Sequence, residues 1–287
     1  MITGTTKLLG VMGDPVEHSL SPVMHNAAIA QLGANYVYLP LPVKPAELEK
    51  AIAGLSAIGM RGFSITIPHK QAILPFLAEI SPVAQAIGAV NTVVHTEQGW
   101  VGTNTDVTGF LAPLEAQSRD WSQTTAVILG NGGASRAVVA GCAQLGIAQI
   151  QVVGRNPTKL KDYLHSWGAS PLAVNLSIHD WSSLPGLLPH ADLLVNTTPI
   201  GMHPHPNASP LTDEEAKLLR SGAIAYDLIY IPSPTQFLRQ AQAQGAIAID
   251  GLEMLVQQGA KALELWLEQP APVDVMRRSL KDHLGLI

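Results

Sequence analysis

The sequence predicts an α/β protein of two domains with largely parallel sheets, and three observations predict it. Strand-like apolar runs alternate with stretches of helical spacing, the pattern of βαβ units. A strand, a glycine-rich turn, a helix and a second strand follow one another between Thr125 and Gly154, the outline of a dinucleotide-binding unit. A chain of 287 residues, 47% of them hydrophobic, is also long enough to bury two cores.

The elements follow in order. GDPVEHSLSPVMHN (13–26) is polar, and its Pro22 marks the start of a helix that Ser21 is placed to cap. Ser19 and Ser21 alternate around Leu20, so an extended segment would turn both hydroxyls to one side. YVYLPL (36–41) and GFSITI (62–67) are strands, with a helix in PAELEKAIAGLSAIG (45–59) between them. A helix in TGFLAPLEAQ (108–117) leads to the strand TAVILG (125–130), helical SRAVVAGCAQLG (135–146) and the strand QIQVVG (149–154). ADLLVNTT (191–198), AIAYDLIY (223–230) and GAIAID (245–250) extend the same sheet. After Asp250, Leu252, Leu255, Val256, Gly259, Leu263, Trp266 and Leu267 recur at helical spacing. The prolines of QPAPVDVMRRSL end that amphipathic helix and open another, so the chain closes in a helical pair that needs an apolar surface to cover.

Composition excludes several classes. Only 14% of residues are charged, the net charge is −5, and Lys and Arg are scattered, which leaves no electrostatic footprint for nucleic acid. No run of ~18 apolar residues points to a membrane span. The single cysteine, Cys142, excludes an intrachain disulfide, fits a reducing cytoplasm and reads as a small buried hydrophobe. The HPH at 203–205 stands without an HExxH or a Cys/His cluster, so no metal site is expected.

Two glycine and charge patterns carry the cofactor expectation. GNGGAS places Gly130, Gly132 and Gly133 between a strand and a helix, where a backbone free of side chains can approach a pyrophosphate at the helix N-terminus. Ser135 stands where the third fingerprint glycine would be. An acid at the end of the second strand would hold the ribose diol of NAD, but the sequence there is GRNPTK. Arg155 and Lys159 favour the 2′-phosphate of NADP, the alternative being a solvated basic loop. In the first half, SITIPHK, GAVNT and TNTD each follow or interrupt an apolar run, as loop ends at one rim of a sheet would. Lys70 and Asp106 become candidates for chemistry. Singly, a lysine is more often a surface residue, and Asn91 and Asp106 would serve as turn caps.

Eight motifs in order, GDPVEHSLSPVMHN, GFSITIPHK, IGAVNT, TNTD, GNGGASRA, NTTPIGM, YDLIYIPSPT and GLEMLVQQ, resemble those of the shikimate dehydrogenases, over about residues 10 to 268. The resemblance implies reversible NADPH-dependent reduction of 3-dehydroshikimate to shikimate, on the route to chorismate and the aromatic amino acids. It also implies a discontinuous substrate and catalytic domain, 1–106 with 251–287, and a Rossmann-like NADP domain, 107–250. By the same resemblance Ser19 and Ser21 meet the shikimate carboxylate, while Thr66, Lys70, Asn91, Asp106 and Gln258 hold its hydroxyl groups, with Tyr230 a further contact. An ammonium can both stabilise developing negative charge and donate, which suits Lys70 to reduction; which of Lys70 and Asp106 takes the proton in oxidation is open from the residues, and the resemblance assigns it to Lys70 with Asp106 as its partner. Gly130, Asn131, Gly132, Gly133 and Ala134 line the pyrophosphate, Arg155 and Lys159 clamp the 2′-phosphate, and Leu228 and Gly251 lie near the nicotinamide. Thr198, Ile200 and Met202 border that pocket.

The sequence departs from the family pattern at Ser64, where Asn is usual, at Asn131, where Ala is common, and at Gly154, where Asn usually precedes the arginine. Gly154 puts one polar contact to the adenosine phosphate in doubt. Two rivals stay open: a quinate/shikimate dehydrogenase with relaxed cofactor use, and a catalytically silent ligand-binding relative. A cytoplasmic monomer or homodimer acting on a small molecule is expected.

Overall fold

Two six-stranded sheets, each the centre of its own unit, organise the chain in the computed structural model, which describes residues 2–168 and 170–286. The first unit runs up to Gly109 and resumes at Leu255; the second spans Phe110–Met254. Both divisions fall inside helices.

In the first unit the strands are β1 (Lys7–Gly13), β2 (Tyr36–Pro42), β3 (Gly62–Ile65), β4 (Glu79–Ile80), β5 (Thr92–Thr96) and β6 (Gly99–Thr103), in the order β2-β1-β3-β5-β6-β4. β1 is parallel to β2 and β3, and β4 to β6, but β5 runs antiparallel to both β3 and β6. The β5–β6 hairpin (TVVHT and GWVGT) was not legible as strands, because each is five residues long and mixes apolar positions with polar ones or glycine. Helices α1 (Ser21–Gln31), α2 (Leu48–Ala57), α3 (His69–Ala72) and α4 (Pro82–Ile87) connect these strands. α4 follows simple end rules: the Ser81 side chain accepts from the Ala84 N–H, Pro82 opens the first turn, and Gly88 ends it at φ 68°. Met12, Phe63, Ile65, Ile73, Val93 and Trp100 form the core on one sheet face.

In the second unit α5 (Asp106–Glu115) leads to β7 (Thr125–Leu129), α6 (Gly133–Gln144), β8 (Gln149–Gly154), α7 (Pro157–Trp167), β9 (Leu176–Asp180), α8 (Leu184–Leu187), β10 (Leu193–Asn196), α9 (Asp213–Ala216), β11 (Ile224–Asp227), α10 (Gln236–Ala243) and β12 (Ile247–Ile249). All five pairings are parallel, in the order β12-β11-β10-β7-β8-β9. This is the doubly wound arrangement, whose strand order reverses at β7. β10 and β11 are buried along their whole length, as strands covered on both faces must be.

The chain ends in α11 (Leu252–Leu267) and α12 (Val273–Leu284). α12 packs on α1 and buries Met276 and Leu280, and Trp266 of α11 donates its indole N–H to the Val93 carbonyl at 2.9 Å. The terminal pair thus covers the sheet of the first unit. Among the described residues no helix is long and apolar enough to cross a membrane.

Candidate active site

The polar rim of the first unit is a connected network. Lys70, on the short α3, donates from Nζ to Oδ2 of Asp106 at 2.5 Å. The other carboxylate oxygen of Asp106 accepts from Asn91 Nδ2 at 2.7 Å, so both oxygens are held. Asn91 is 2% exposed and also donates to Thr105 Oγ1 (3.0 Å) and toward Gln258 Oε1 (3.5 Å). Its Oδ1 accepts from the Thr92 hydroxyl (2.9 Å) and the Thr105 N–H (2.7 Å). Gln258 is fixed in turn by a bond from Nε2 to the Leu255 carbonyl (2.8 Å).

The backbone explains why these groups meet. Lys70 C=O accepts from the Val90 N–H, tying α3 to the segment before β5. Asp106 is the first residue of α5, where the helix dipole favours a carboxylate, and its N–H is held by Asn104 Oδ1 at 3.0 Å. Burial confines the pair: the Lys70 and Asp106 side chains are 19% and 10% exposed. Asn104, Thr105 and Thr92 support the network although the sequence singled out none of them. The signal lay in the TNTD and GAVNT motifs, whose neighbouring polar residues carry the bracing bonds.

Ser19 and Ser21 are also in the first unit, but not as the alternation suggested. Leu20 has helical torsions (φ −88°, ψ 0°), so the segment is not extended, and Ser21 begins α1 without a side-chain cap. Instead Ser19 Oγ accepts from the Ser21 N–H at 3.3 Å, so the serine outside the helix satisfies its first amide. Thr66 packs its methyl against Gly13, where a Cβ would come within 2.3 Å.

The second unit brings together the glycine turn and two loops. Gly130 adopts φ 104° at the end of β7, and its N–H donates to the Val153 carbonyl (2.8 Å). It lies against Thr197 and Thr198, which follow β10, so the turn sits where the strand order reverses. Around Gly132 and Gly133 no atom approaches within 4 Å of where a Cβ would stand, which leaves the start of α6 open to a ligand. Ser135, in the third fingerprint position, donates instead to the Gly132 carbonyl at 2.7 Å and tightens the turn. Arg155 and Lys159 are exposed, with no side-chain hydrogen bond or ion pair among the described residues. Asn131 and Gly154 face each other: a Cβ on Gly154 would stand 3.2 Å from Asn131 Oδ1. These features fit a dinucleotide with a 2′-phosphate: an open helix start, a bare turn and unpaired cations.

Leu228 and Gly251 touch, and a Cβ on Gly251 would fall 2.1 Å from the Leu228 carbonyl oxygen, so only glycine fits there. Tyr230 belongs to the same unit, and burial raises its pKa. Asp227 escaped the sequence reading. It is 0% exposed, accepts from Asn196 Nδ2 (3.0 Å), the Ile229 N–H (3.1 Å) and the Thr235 hydroxyl (2.7 Å), and so braces the loops after β10 and β11. Burial pushes its carboxyl up to about 6. Its signal was an acid at the end of an otherwise apolar strand. Among the described residues no cluster of three His, Cys, Asp or Glu could hold a metal.

A doubly wound parallel sheet with a glycine turn at its switch point, in a chain whose other α/β unit carries a lysine–carboxylate pair, defines the class as a nicotinamide-dependent dehydrogenase. Two family models match: the shikimate dehydrogenase substrate binding domain over residues 11–93, and the shikimate 5′-dehydrogenase C-terminal domain over 251–281. A shikimate dehydrogenase (NADP(+)) of Trichormus variabilis is 69% identical, with 100% of both chains covered. The crystal structure of shikimate 5-dehydrogenase from Listeria monocytogenes, in complex with shikimate and NAD, superposes with a TM-score of 0.88 at 33% identity, covering 97% of this chain and 98% of that one. The Thermus thermophilus enzyme, in complex with NADP(H) and shikimate, gives 0.84 at 35% identity, covering 96% and 99%. The chain belongs to the shikimate dehydrogenase family, NADP-dependent oxidoreductases of aromatic amino acid biosynthesis.

Proposed function

We propose that this chain reversibly reduces 3-dehydroshikimate to shikimate, that its first unit binds the substrate and performs the proton chemistry, and that its second holds NADP(H). The observation that carries the reading is the Lys70–Asp106 pair, held at 2.5 Å and braced through Asn91. Reducing a ketone adds a hydride to carbon and a proton to oxygen. When bound, NADPH supplies the hydride. The Lys70 ammonium faces the developing alkoxide, stabilises its charge and gives it a proton from Nζ. Asp106 keeps that ammonium in place, and solvent restores the proton after turnover. In the oxidative direction the steps run in reverse: Nζ first releases a proton to solvent and, as the neutral amine, takes the proton of the substrate hydroxyl.

Ser19 and Ser21 receive the substrate carboxylate, and Thr66, Asn91, Asp106 and Gln258 position its hydroxyl groups, with Tyr230 a further contact. Residues 130–134 receive the pyrophosphate through backbone N–H groups. Arg155 and Lys159 take the 2′-phosphate, a charge-assisted contact that NAD lacks. Leu228 and Gly251 flank the nicotinamide. The protein works in the cytoplasm as a monomer or homodimer, which light scattering distinguishes.

The test is nicotinamide absorbance with shikimate or quinate as substrate and NADP or NAD as acceptor. Fast turnover with shikimate and NADP, and rates at least tenfold lower for the other three combinations, are expected. Comparable rates with NAD or quinate would favour the relaxed quinate/shikimate rival, and shikimate binding without turnover would favour the silent relative.

A further inference from the structure

Tyr38, in the middle of β2, is 1% exposed and yet carries a hydroxyl. Three sets of contacts hold it. β2 is an edge strand, and the Asn26 side chain of α1 closes that edge: Nδ2 donates to the Tyr38 carbonyl and Oδ1 accepts from its N–H, each at 2.9 Å. The ring stacks on His25 with centroids 4.2 Å apart and planes 14° from parallel, and Trp266 is tilted against both. Neither His25 ring nitrogen has a hydrogen-bond partner, and burial pushes its pKa down to about 3, so it is a neutral plate under the phenol.

The third contact is the hydroxyl itself. β1 lies between β2 and β3, with Leu9 opposite Tyr38 and Val11 opposite Ser64, so the side chain reaches across β1. There the Tyr38 hydroxyl donates to Ser64 Oγ at 2.9 Å, while His25, stacked on the ring, lies one helical turn after Ser21 on α1. Burial raises the phenol's pKa, so it stays protonated and remains a donor.

A phenol has one proton to give. Received by Ser64 Oγ, it fills an acceptor position there and directs the serine's own proton away from Tyr38. Ser64 is 8% exposed and pairs with Thr92 on the same sheet face, where the Thr92 hydroxyl bonds Asn91. Ser64 therefore stands between Tyr38 and the strand whose Thr92 bonds into the Asn91–Asp106–Lys70 network.

We propose that Tyr38 is a positioning residue for carboxylate recognition: it ties Ser64 to the helix that begins at Ser21 and aims the Ser64 hydroxyl, a third donor beside Ser19 and Ser21, at the substrate carboxylate. This rests on the reading that Ser19 and Ser21 receive that carboxylate.

The experiment compares shikimate with its methyl ester, which lacks the charge, in Tyr38→Phe, Ser64→Ala, the double variant and Ser19→Ala. Tyr38→Phe should raise KM for shikimate about tenfold, leave kcat within about threefold, and move KM for the ester less than about twofold. The double variant should be no worse than the poorer single one, because both changes break one bond. Ser64→Ala gives the same reading without touching the aromatic stack. If Tyr38→Phe lowers the melting temperature and raises both KM values together, or leaves the acid-to-ester ratio unchanged, the positioning role is overturned. Loss of acid–ester discrimination in Ser19→Ala alone would leave the carboxylate site standing and remove only Tyr38 from it. If Ser19→Ala keeps the discrimination, the carboxylate reading falls and the positioning role with it.

Discussion

In the first unit Lys70, Asp106, Asn91 and Gln258 are joined by contacts of 2.5 to 3.5 Å, whereas in the second Arg155 and Lys159 stand exposed with no side-chain partner among the described residues. The difference follows the tasks proposed for the two units. Proton transfer rewards groups fixed before the substrate arrives, since each misplaced fraction of an ångström is a rate loss. Binding a phosphate rewards a rigid backbone cradle and long cations that swing onto it, and the bare turn at Gly132 and Gly133 with exposed Arg155 supplies both. Changes in the Lys70–Asp106 network should therefore appear in kcat, and changes at the glycine turn in KM for NADP.

The largest expected effect tests the first half of that contrast. Lys70→Ala should lower kcat roughly 10²- to 10⁴-fold with a smaller change in KM for either substrate. Steady-state kinetics in both directions checks it; near-normal turnover would remove Lys70 from the chemistry and dissolve the contrast.

Buried titratable groups mark a second difference between the units. His25 in the first is pushed down to about 3, so its contribution to stability is present above pH 6.5 and is lost progressively as the pH falls toward 3. Asp227 in the second is pushed up from 3.8 to about 6. The native state then binds the extra proton between those values, so the Asp227 contribution is greatest below pH 3.8 and is lost as the pH rises through 6. From pH 6 to 4 the two slopes oppose each other. Asp227→Asn removes one of them: relative to the parent protein the variant should gain about 3 kcal/mol between pH 4 and pH 7.5. Urea denaturation at the two pH values measures this, and a pH-independent difference would show that Asp227 stays ionised throughout.

Arg155→Ala addresses the grip of the second unit. KM for NADP should rise about tenfold or more, KM for NAD should stay within about twofold, and kcat with saturating NADP should hold. Equal losses with both cofactors would place Arg155 elsewhere than at the 2′-phosphate.

How much of this was legible from the sequence differs between the units in the same way. In the second, β7, β10 and β11 are nearly continuous apolar runs bounded by polar residues or glycine, β8 (QIQVVG) alternates glutamine with Ile and Val before its closing glycine, and local pattern suffices to find them; β9 (LSIHD) escaped because it is a half-exposed edge strand. In the first unit the site depends on register. Tyr38 reaches Ser64 only because β1 lies between their strands, and Asn91 meets Gln258 across 167 positions of sequence. Neither relation leaves a periodic trace. Motif order found Lys70 and Asp106, but the Ser19–Ser21 geometry was misjudged because helical torsions at Leu20 replace the extended alternation.

The smallest expected effect concerns two departures that prove to be neighbours. Read along the chain, Gly154 leaves a polar contact vacant, but in the fold the Asn131 carboxamide occupies the space beside it and makes no hydrogen bond within the described residues. A Cβ on Gly154 would stand 2.9 Å from Leu160 Cδ2 and 3.2 Å from Asn131 Oδ1, so glycine there is what lets Asn131 take its place. The amide sits between the glycine turn and Arg155, where it can donate to the cofactor. Asn131→Ala should then raise KM for NADP about threefold, the loss of one hydrogen bond. Gly154→Ala should raise it similarly by displacing the amide, and the double variant should be no worse than either single change, since both act on one contact. Additive losses in the double variant would mean that the two positions act separately, and that the exchange of Asn from one strand end to the other is without consequence for the cofactor.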